Sequence, residues 1–132
     1  MNIAHQVASA RRRQVVLVAD DEEAILDLTD CVISELGLMT LKANDGMVAL
    51  EFASNCQQFL VCAILDIQMP IMNGVEAAHA IQLAAPDLAL VLMSDGIPAA
   101  LVQRVRQLRA FTMLYKPFTL ATLRALLVEL VP

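Results

Sequence analysis

Polar side chains suited to phosphoryl-transfer chemistry stand at the ends of four apolar runs in this 132-residue chain. They are Asp20 and Asp21, Asp66, Ser94 and Lys116. A carboxylate can act as a nucleophile, and an ammonium group and a hydroxyl can hold the oxygens of a phosphoryl group. Asp66 is the best candidate for the nucleophile, because it ends the run predicted to be the central strand of a sheet.

Three carboxylates in one crevice would repel one another, so a set of this kind needs a compensating cation. Mg²⁺ favours one or two carboxylates, a backbone oxygen, several waters and a phosphoryl oxygen. We therefore predict a magnesium site among Asp20, Asp21 and Asp66. Taken singly, an Asp or Ser at a strand end is usually a turn or cap residue, and a Lys is usually solvated. A functional interpretation is favoured because all of these residues are predicted to lie at the same edge of the sheet.

Five apolar runs alternate with segments of helical periodicity, which is the pattern of repeated β-α units. The strands are predicted at residues 15–19, 38–43, 60–65, 88–93 and 111–115. Right-handed crossovers then give a parallel sheet covered on both faces, and we expect a flavodoxin-like, doubly wound (βα)5 fold with strand order 2-1-3-4-5. In that order the ligand crevice lies between strands 1 and 3, at their carboxyl ends.

The helices are predicted from their apolar stripes and from residues that start or stop them. Ile25, Leu28, Val32 and Leu36 recur at helical spacing before a stop at Gly37. The remaining helices are predicted to run from Asp45 to about residue 57, from Gly74 to about residue 84, from Pro98 through Leu108, and from a cap at Thr119 through Leu130.

Composition limits the classes of protein to which the chain can belong. Hydrophobic residues make up 58% and charged residues 17%, which excludes intrinsic disorder, and the longest apolar runs of about seven residues exclude a membrane span. The net charge of −5 argues against direct nucleic-acid binding. Residues 1–13, with three consecutive arginines, are predicted to form a basic arm, and residues 14–132 a single domain.

The cysteines Cys31, Cys56 and Cys62 show no metal-binding spacing and stand in apolar contexts. We expect all three to be buried free thiols, which favours a reducing, cytoplasmic location.

With these residues in place, the chain resembles the receiver domain of response regulators in two-component signalling, in particular the chemotaxis-regulator-like members. The resemblance covers residues 14–130 and includes the long motif LDIQMPIMNG at residues 65–74 and the sequence KPF at residues 116–118. The paired acids of the family match Asp20 and Asp21, its phospho-acceptor matches Asp66, its Ser/Thr matches Ser94 and its lysine matches Lys116.

The resemblance implies that Asp66 takes a phosphoryl group from the phosphohistidine of a sensor histidine kinase or a histidine phosphotransfer protein. Mg²⁺ would be held by Asp21, Asp66 and the backbone carbonyl of Gln68, with Asp20 reaching it through water. The domain would then signal through a downstream protein target or output domain, with homodimer formation as an option. Its chemistry would be limited to self-catalysed phosphotransfer and autodephosphorylation, so it would not be an enzyme.

The resemblance also assigns roles to the other two site residues. Lys116 would pair with the phosphoryl group, and the bond between Lys116 and Pro117 would be cis. Ser94 would move to hydrogen-bond a phosphoryl oxygen, which would shift an existing equilibrium between inactive and active states.

Two positions depart from the family pattern or add to it. Receivers usually carry Tyr or Phe three residues before the lysine, where this chain has Met113, so we expect a weaker or different coupling between Ser94 and the surface of the fourth strand and following helix. Asp95 directly follows Ser94 and is either an exposed turn residue or a charge that alters phosphorylation and hydrolysis by repulsion. Tyr115 shares the strand face of Met113, so a substitute role for its ring stays open.

Other interpretations share parts of this pattern. A haloacid-dehalogenase-type phosphatase would need a second acid where Gln68 stands, and a flavodoxin-like cofactor binder would need a phosphate loop where Asp20 and Asp21 stand. A degenerate receiver that binds partners without phosphorylation is disfavoured by the complete set of site residues. Few residues follow the last predicted helix, so we expect either a stand-alone regulator or a piece of a longer protein.

Overall fold

The computed structural model describes residues 14–131, so the predicted arm at residues 1–13 lies outside the described residues. The sheet is parallel and has the order β2-β1-β3-β4-β5, which confirms the predicted topology. Its strands are β1 Val15–Ala19, β2 Met39–Ala43, β3 Leu60–Asp66, β4 Ala89–Ser94 and β5 Thr112–Tyr115.

Five α-helices connect and follow the strands. They are α1 Glu23–Glu35, α2 Gly46–Cys56, α3 Gly74–Ala84, α4 Val102–Arg106 and α5 Leu120–Leu130. Short 3-10 turns at Gln57–Phe59 and Ala99–Leu101 precede β3 and α4. Within residues 14–131, no helix combines the length and the apolar content that crossing a bilayer demands.

Two apolar cores lie on opposite faces of the sheet, because successive side chains of a strand point to opposite sides. One core joins the sheet to α2, α3 and α4, with Leu17, Leu65 and Ile81 fully buried. The other joins it to α1 and α5, with Ile64 and Leu127 fully buried. Every residue of β1 and β3 is buried, as continuous apolar runs predict for central parallel strands.

Three helices begin where the sequence indicates. The side chains of Asp45, Asn73 and Thr119 accept hydrogen bonds from backbone N–H groups in the first turns of α2, α3 and α5. In α3 the Glu76 side chain also accepts a bond from the backbone N–H of Asn73, which completes a capping box. These caps fix the entry point of each helix beside the sheet edge.

The predicted buried face of α1 was wrong in part. The buried residues are Leu26, Thr29, Val32 and Ile33, whereas Leu28 is exposed. The same orientation turns Cys31 outward, so the prediction of three buried thiols was also wrong. Cys56 is half-buried, and only Cys62 is fully buried, where burial raises the pKa of its thiol to about 12. An apolar context in the sequence does not decide which side of a helix packs on the sheet.

The fourth helix is shorter than the sequence predicts. It ends at Arg106 rather than continuing through Leu108, and its first turn is the 3-10 segment after Pro98. The backbone N–H of Leu108 donates to the carbonyl of Val105 in a 3-10 bond, and it does not continue the α-helical ladder to the carbonyl of Arg104. The carbonyl of Arg104 accepts instead from Nε2 of His79 on α3, so the ladder stops before Leu108.

Candidate functional site

The carboxyl ends of β1 and β3 bring three aspartates together. Carboxylate oxygens of Asp20, Asp21 and Asp66 all lie within 4.8 Å of one another. Asp20 is fully buried, Asp66 is 7% exposed and Asp21 is exposed to solvent. Ala19 of β1 and Leu65 of β3 are register partners, so Asp20 and Asp66, the next residue in each strand direction, lie side by side at the sheet edge. The predicted convergence of these acids at one edge is therefore present.

One lysine compensates part of this negative charge. The Nζ atom of Lys116 lies 2.8 Å from Oδ2 of Asp20 and 3.2 Å from Oδ1 of Asp66. It also lies 4.0 Å from Oε1 of Glu22. Lys116 reaches this position because its backbone N–H donates to the carbonyl of Ser94, which anchors the chain directly after β5. The bond between Lys116 and Pro117 is cis, as the resemblance implies.

Asp66 carries the strongest electrostatic perturbation of the site. Burial, helped by the charge of Asp20, raises the pKa of Asp66 to about 6, although Lys116 opposes the rise. Burial lowers the pKa of Lys116, but its hydrogen bond to Asp20 and the charges of Asp20 and Asp66 outweigh this effect and leave that pKa raised. The lysine thus stays charged, while the ionised form of Asp66 is costly without a further cation.

A close backbone approach fixes the carbonyl of Asp66 relative to α3. Gly74, the first residue of α3, leaves no room for a side chain, because a Cβ atom there would overlap the backbone carbonyl of Asp66. Its N–H donates to the carbonyl of Ile67 at 2.9 Å, which closes the loop between β3 and α3. Within this loop Ile71 has a φ of +68° and is 80% exposed. A β-branched residue at positive φ is strained, and this strain lies five residues from the predicted nucleophile.

Ser94 lies at the same edge but holds a local turn. Its Oγ atom donates to the carbonyl of Gly96 at 2.6 Å and accepts from the N–H of Gly96 at 2.9 Å. Within the described residues its hydroxyl forms no hydrogen bond to Asp66 or Lys116. The predicted movement of Ser94 toward a phosphoryl group would therefore have to break the bond to the Gly96 carbonyl, and it stays a prediction.

Two other predicted site residues, Gln68 and Asp95, are exposed to solvent. Gln68 is exposed in the loop after β3, and the role of its carbonyl as a metal ligand stays a prediction. Asp95 is exposed and lines a cavity of about 330 Å³ together with Glu22, Lys116 and Phe118. Its effect on phosphoryl chemistry is likewise still a prediction.

The strand faces around Met113 follow the expected alternation. Met113 packs against the core under α2, α3 and α4, whereas Leu114 is buried in the core of the opposite face. Tyr115 is 60% exposed. The expected change in coupling at Met113 stays a prediction.

Sequence reasoning missed two features of the site. It assigned Lys116 to the phosphoryl group alone, but the structure shows Asp20 as its nearest carboxylate partner. It also gave Glu22 no part in the site, whereas this side chain reaches toward Lys116. The run of four acids at residues 20–23 was the signal available for both contacts, since Asp20 and Glu22 of this run lie near Lys116.

The sequence of this chain is similar to a known protein family and to individual signalling proteins. A family model described as the response regulator receiver domain matches residues 16–128 of this chain. The autoinducer 1 sensor kinase/phosphatase LuxN of Vibrio harveyi is 31% identical over 126 residues, which make up 95% of this chain and 14% of LuxN. The sporulation initiation phosphotransferase F of Bacillus subtilis is 27% identical over 109 residues, covering 83% of this chain and 86% of that protein.

A solved structure shows the same fold. The receiver domain of a sensor histidine kinase from Pseudomonas aeruginosa, determined with a magnesium ion coordinated in its active site cleft, matches with a TM-score of 0.78. The identity is 19%, and the match covers 90% of this chain and 98% of that chain. At this identity the likeness establishes the fold alone.

Proposed function

Because this chain belongs to the family of response regulator receiver domains, as its sequence motifs predicted, we propose that it accepts a phosphoryl group on Asp66. The donor is the phosphohistidine of a sensor histidine kinase or of a histidine phosphotransfer protein. The observation that carries this proposal is the contact of the Asp66 carboxylate with Lys116 at 3.2 Å inside a cluster of three aspartates. The sensor kinase and the phosphotransferase among the relatives support the same class of donor.

The transfer is a nucleophilic substitution at phosphorus. A carboxylate oxygen of Asp66 attacks the phosphorus atom, the P–N bond breaks, and its electron pair returns to the ring nitrogen of the donor histidine. Lys116 stands beside the nucleophile and neutralises charge on the phosphoryl oxygens. Asp20, which is fully buried, holds the ammonium group of Lys116 in place at 2.8 Å.

The donor set suits Mg²⁺, because three carboxylates converge while one ammonium group compensates them. Asp21, Asp66 and the backbone carbonyl of Gln68 would hold the ion, with Asp20 contributing through water. When bound, Mg²⁺ supplies charge neutralisation for the phosphoryl oxygens. The raised pKa of Asp66 agrees with this assignment, since burial and, after it, the charge of Asp20 oppose ionisation of Asp66 in the protein alone.

Signalling would follow from a change in the turn after β4. In the proposed active state the Ser94 hydroxyl leaves the carbonyl of Gly96 and hydrogen-bonds a phosphoryl oxygen instead. The change is passed to a downstream protein target or output domain, with a homodimer as a further option. Met113, which replaces the usual aromatic residue, makes this coupling weaker than in most receivers or different from it.

We also propose where the domain acts and which activities it lacks. It acts in the cytoplasm, binds no nucleic acid directly, and catalyses only its own phosphorylation and dephosphorylation. The negative net charge supports the absence of direct nucleic-acid binding.

Incubation with acetyl phosphate and Mg²⁺, followed by intact mass measurement, tests the proposal. We expect one phosphate adduct on the wild type and none on the Asp66→Asn variant. Asp45→Asn is the matched control, because Asp45 is also buried but caps α2 through the N–H of Val48. An adduct on Asp66→Asn would place the phosphate on another residue and reject Asp66 as the acceptor. No adduct on either protein would favour a receiver that binds partners without phosphorylation.

A further inference from the structure

A groove between α3 and the α4 segment lies away from the phosphorylation site. It has a volume of about 560 Å³ and is lined by His79, Gln82 and Leu83 on α3 and by Arg104 and Arg109 on the opposite side, together with Pro86 and Gln107. No carboxylate lines this groove within the described residues. The groove therefore combines positive charge with an apolar side chain in a chain of net charge −5.

The arginines of this region differ from the other basic side chains of the described chain. Lys42 pairs with Asp27 and Asp30, Lys116 with Asp20 and Asp66, and Arg124 with Glu35. Across residues 14–131, Arg104, Arg106 and Arg109 form no salt bridge.

The sequence explains this difference in pairing. Ten of the fourteen acids fall between residues 20 and 66, whereas residues 96–128 contain five basic side chains and no acid. The positive charge of the groove is thus left without a counterpart inside the fold, and it is available to a partner.

Hydrogen bonds across the groove hold its walls at a fixed separation. Nε2 of His79 donates to the backbone carbonyl of Arg104 at 2.7 Å, and the backbone N–H of Arg109 donates to Oε1 of Gln82 at 3.1 Å. The guanidinium of Arg109 also donates to the carbonyl of Gln82. A surface fixed in this way loses little conformational freedom when a partner binds.

Leu83 gives the groove its apolar component. It is 86% exposed, the highest exposure among the large apolar side chains of the described residues, and it lies beside the arginines. An exposed leucine flanked by positive charge matches a partner segment in which carboxylates alternate with an apolar side chain.

We propose that the groove between α3 and α4 binds an acidic protein segment that carries at least one apolar residue. The carboxylates of the segment pair with Arg104 and Arg109, and its apolar side chain covers Leu83. The contact does not use Asp66, so it is independent of the phosphorylation proposed above. It provides a second site at which this domain recognises a partner.

Titration of the isotope-labelled full chain with a synthetic peptide of repeating Glu-Glu-Leu units, followed by amide chemical shifts, tests this inference. A Gln-Gln-Leu peptide of the same length is the control. We expect saturable shifts at His79, Leu83, Arg104 and Gln107 with the acidic peptide only. The affinity should fall about tenfold or more when NaCl rises from about 0.02 M to about 0.5 M, since exposed charge pairs are screened.

Matched variants separate a groove contact from general attraction to positive charge. Arg104→Gln and Leu83→Gln should each weaken binding about fivefold or more, whereas Arg106→Gln, which removes a charge from the same helix outside the groove lining, should change it less than about twofold. All three variants should still accept a phosphate from acetyl phosphate, so failure of this inference is distinct from failure at Asp66.

Several outcomes would overturn the inference. They are shifts confined to other surfaces, equal losses in Arg104→Gln and Arg106→Gln, binding of the neutral peptide, or no saturable binding. Binding of RNA or of anionic vesicles at the groove without binding of the acidic peptide would also overturn it, since these are different classes of partner. Self-association through the groove, detected by sedimentation of the chain alone, would replace the partner segment with a second copy.

Discussion

Replacing Asp66 by Asn should stabilise the folded protein at neutral pH. The Asp66 carboxylate is 7% exposed, and burial together with the charge of Asp20 raises its pKa from an ordinary 3.8 to about 6. Since each pKa unit corresponds to ~1.36 kcal/mol, ionised Asp66 costs the fold about 3 kcal/mol. Asn has nearly the same shape without the charge, so the Asp66→Asn variant avoids this cost.

The sign of the pH dependence follows from proton binding. A raised pKa in the folded state means that the native protein binds the proton of Asp66 more tightly than the unfolded chain does. The stability of the wild type therefore falls as the pH rises from 3.8 through about 6, whereas Asp66→Asn lacks this decrease. The advantage of the variant should be about 3 kcal/mol above pH 7 and should disappear near pH 3.8.

Urea unfolding followed by far-ultraviolet circular dichroism measures this difference at both pH values, with a chelator present. Asp45→Asn is the control, because Asp45 is buried but serves as the N-cap of α2, and Asn is an equally good cap. Its free energy of unfolding should change by less than about 1 kcal/mol at neutral pH. A variant at position 66 that is no more stable than the wild type at neutral pH, or equally more stable at acid pH, would refute the reasoning.

Further predictions concern the lysine and the glycine that position the nucleophile. Lys116→Met should lower the free energy of unfolding in chelator by about 3 kcal/mol, because it leaves the buried charge of Asp20 unpaired, and Mg²⁺ should restore part of the loss in urea titrations. Gly74→Ala should cost about 1–3 kcal/mol and slow phosphorylation by acetyl phosphate, because its Cβ overlaps the Asp66 carbonyl. Gly96→Ala, whose Cβ meets open space, should change the free energy of unfolding by less than about 0.5 kcal/mol, and an equal effect of both glycine changes would contradict the steric argument.

Most of the fold could be predicted because the strands are continuous apolar runs and the rule of right-handed crossovers leaves few topologies for them. β1 and β3 are buried along their whole length, so no periodicity had to be resolved to recognise them. The edge at which the acids meet follows from the same argument, since parallel strands end on one side. This is why Asp66 could be assigned to the site before any contact was known.

What could not be predicted depends on contacts between distant segments. The early end of α4 coincides with a hydrogen bond from the His79 side chain, 25 residues earlier in the chain, to the carbonyl of Arg104. The buried face of α1 depends on how that helix rotates against the sheet, which made the apolar Leu28 a wrong choice. The positive φ of Ile71 has no signal of its own in the sequence, because isoleucine normally avoids that conformation.

The polar groups of the site are arranged differently from the other buried polar groups of the described chain. Asp45 and Thr29 are buried, and each forms hydrogen bonds to its own helix. The site carboxylates, by contrast, accept one backbone bond among them within residues 14–131, from the N–H of Glu22 to Asp20. They face one another and a single lysine, and this arrangement lowers the stability of the fold. Within residues 14–131 the Asp66 side chain caps no helix. A cationic ligand or a phosphoryl group held by Lys116 would offset that cost, so the same carboxylate should limit stability and accept phosphate.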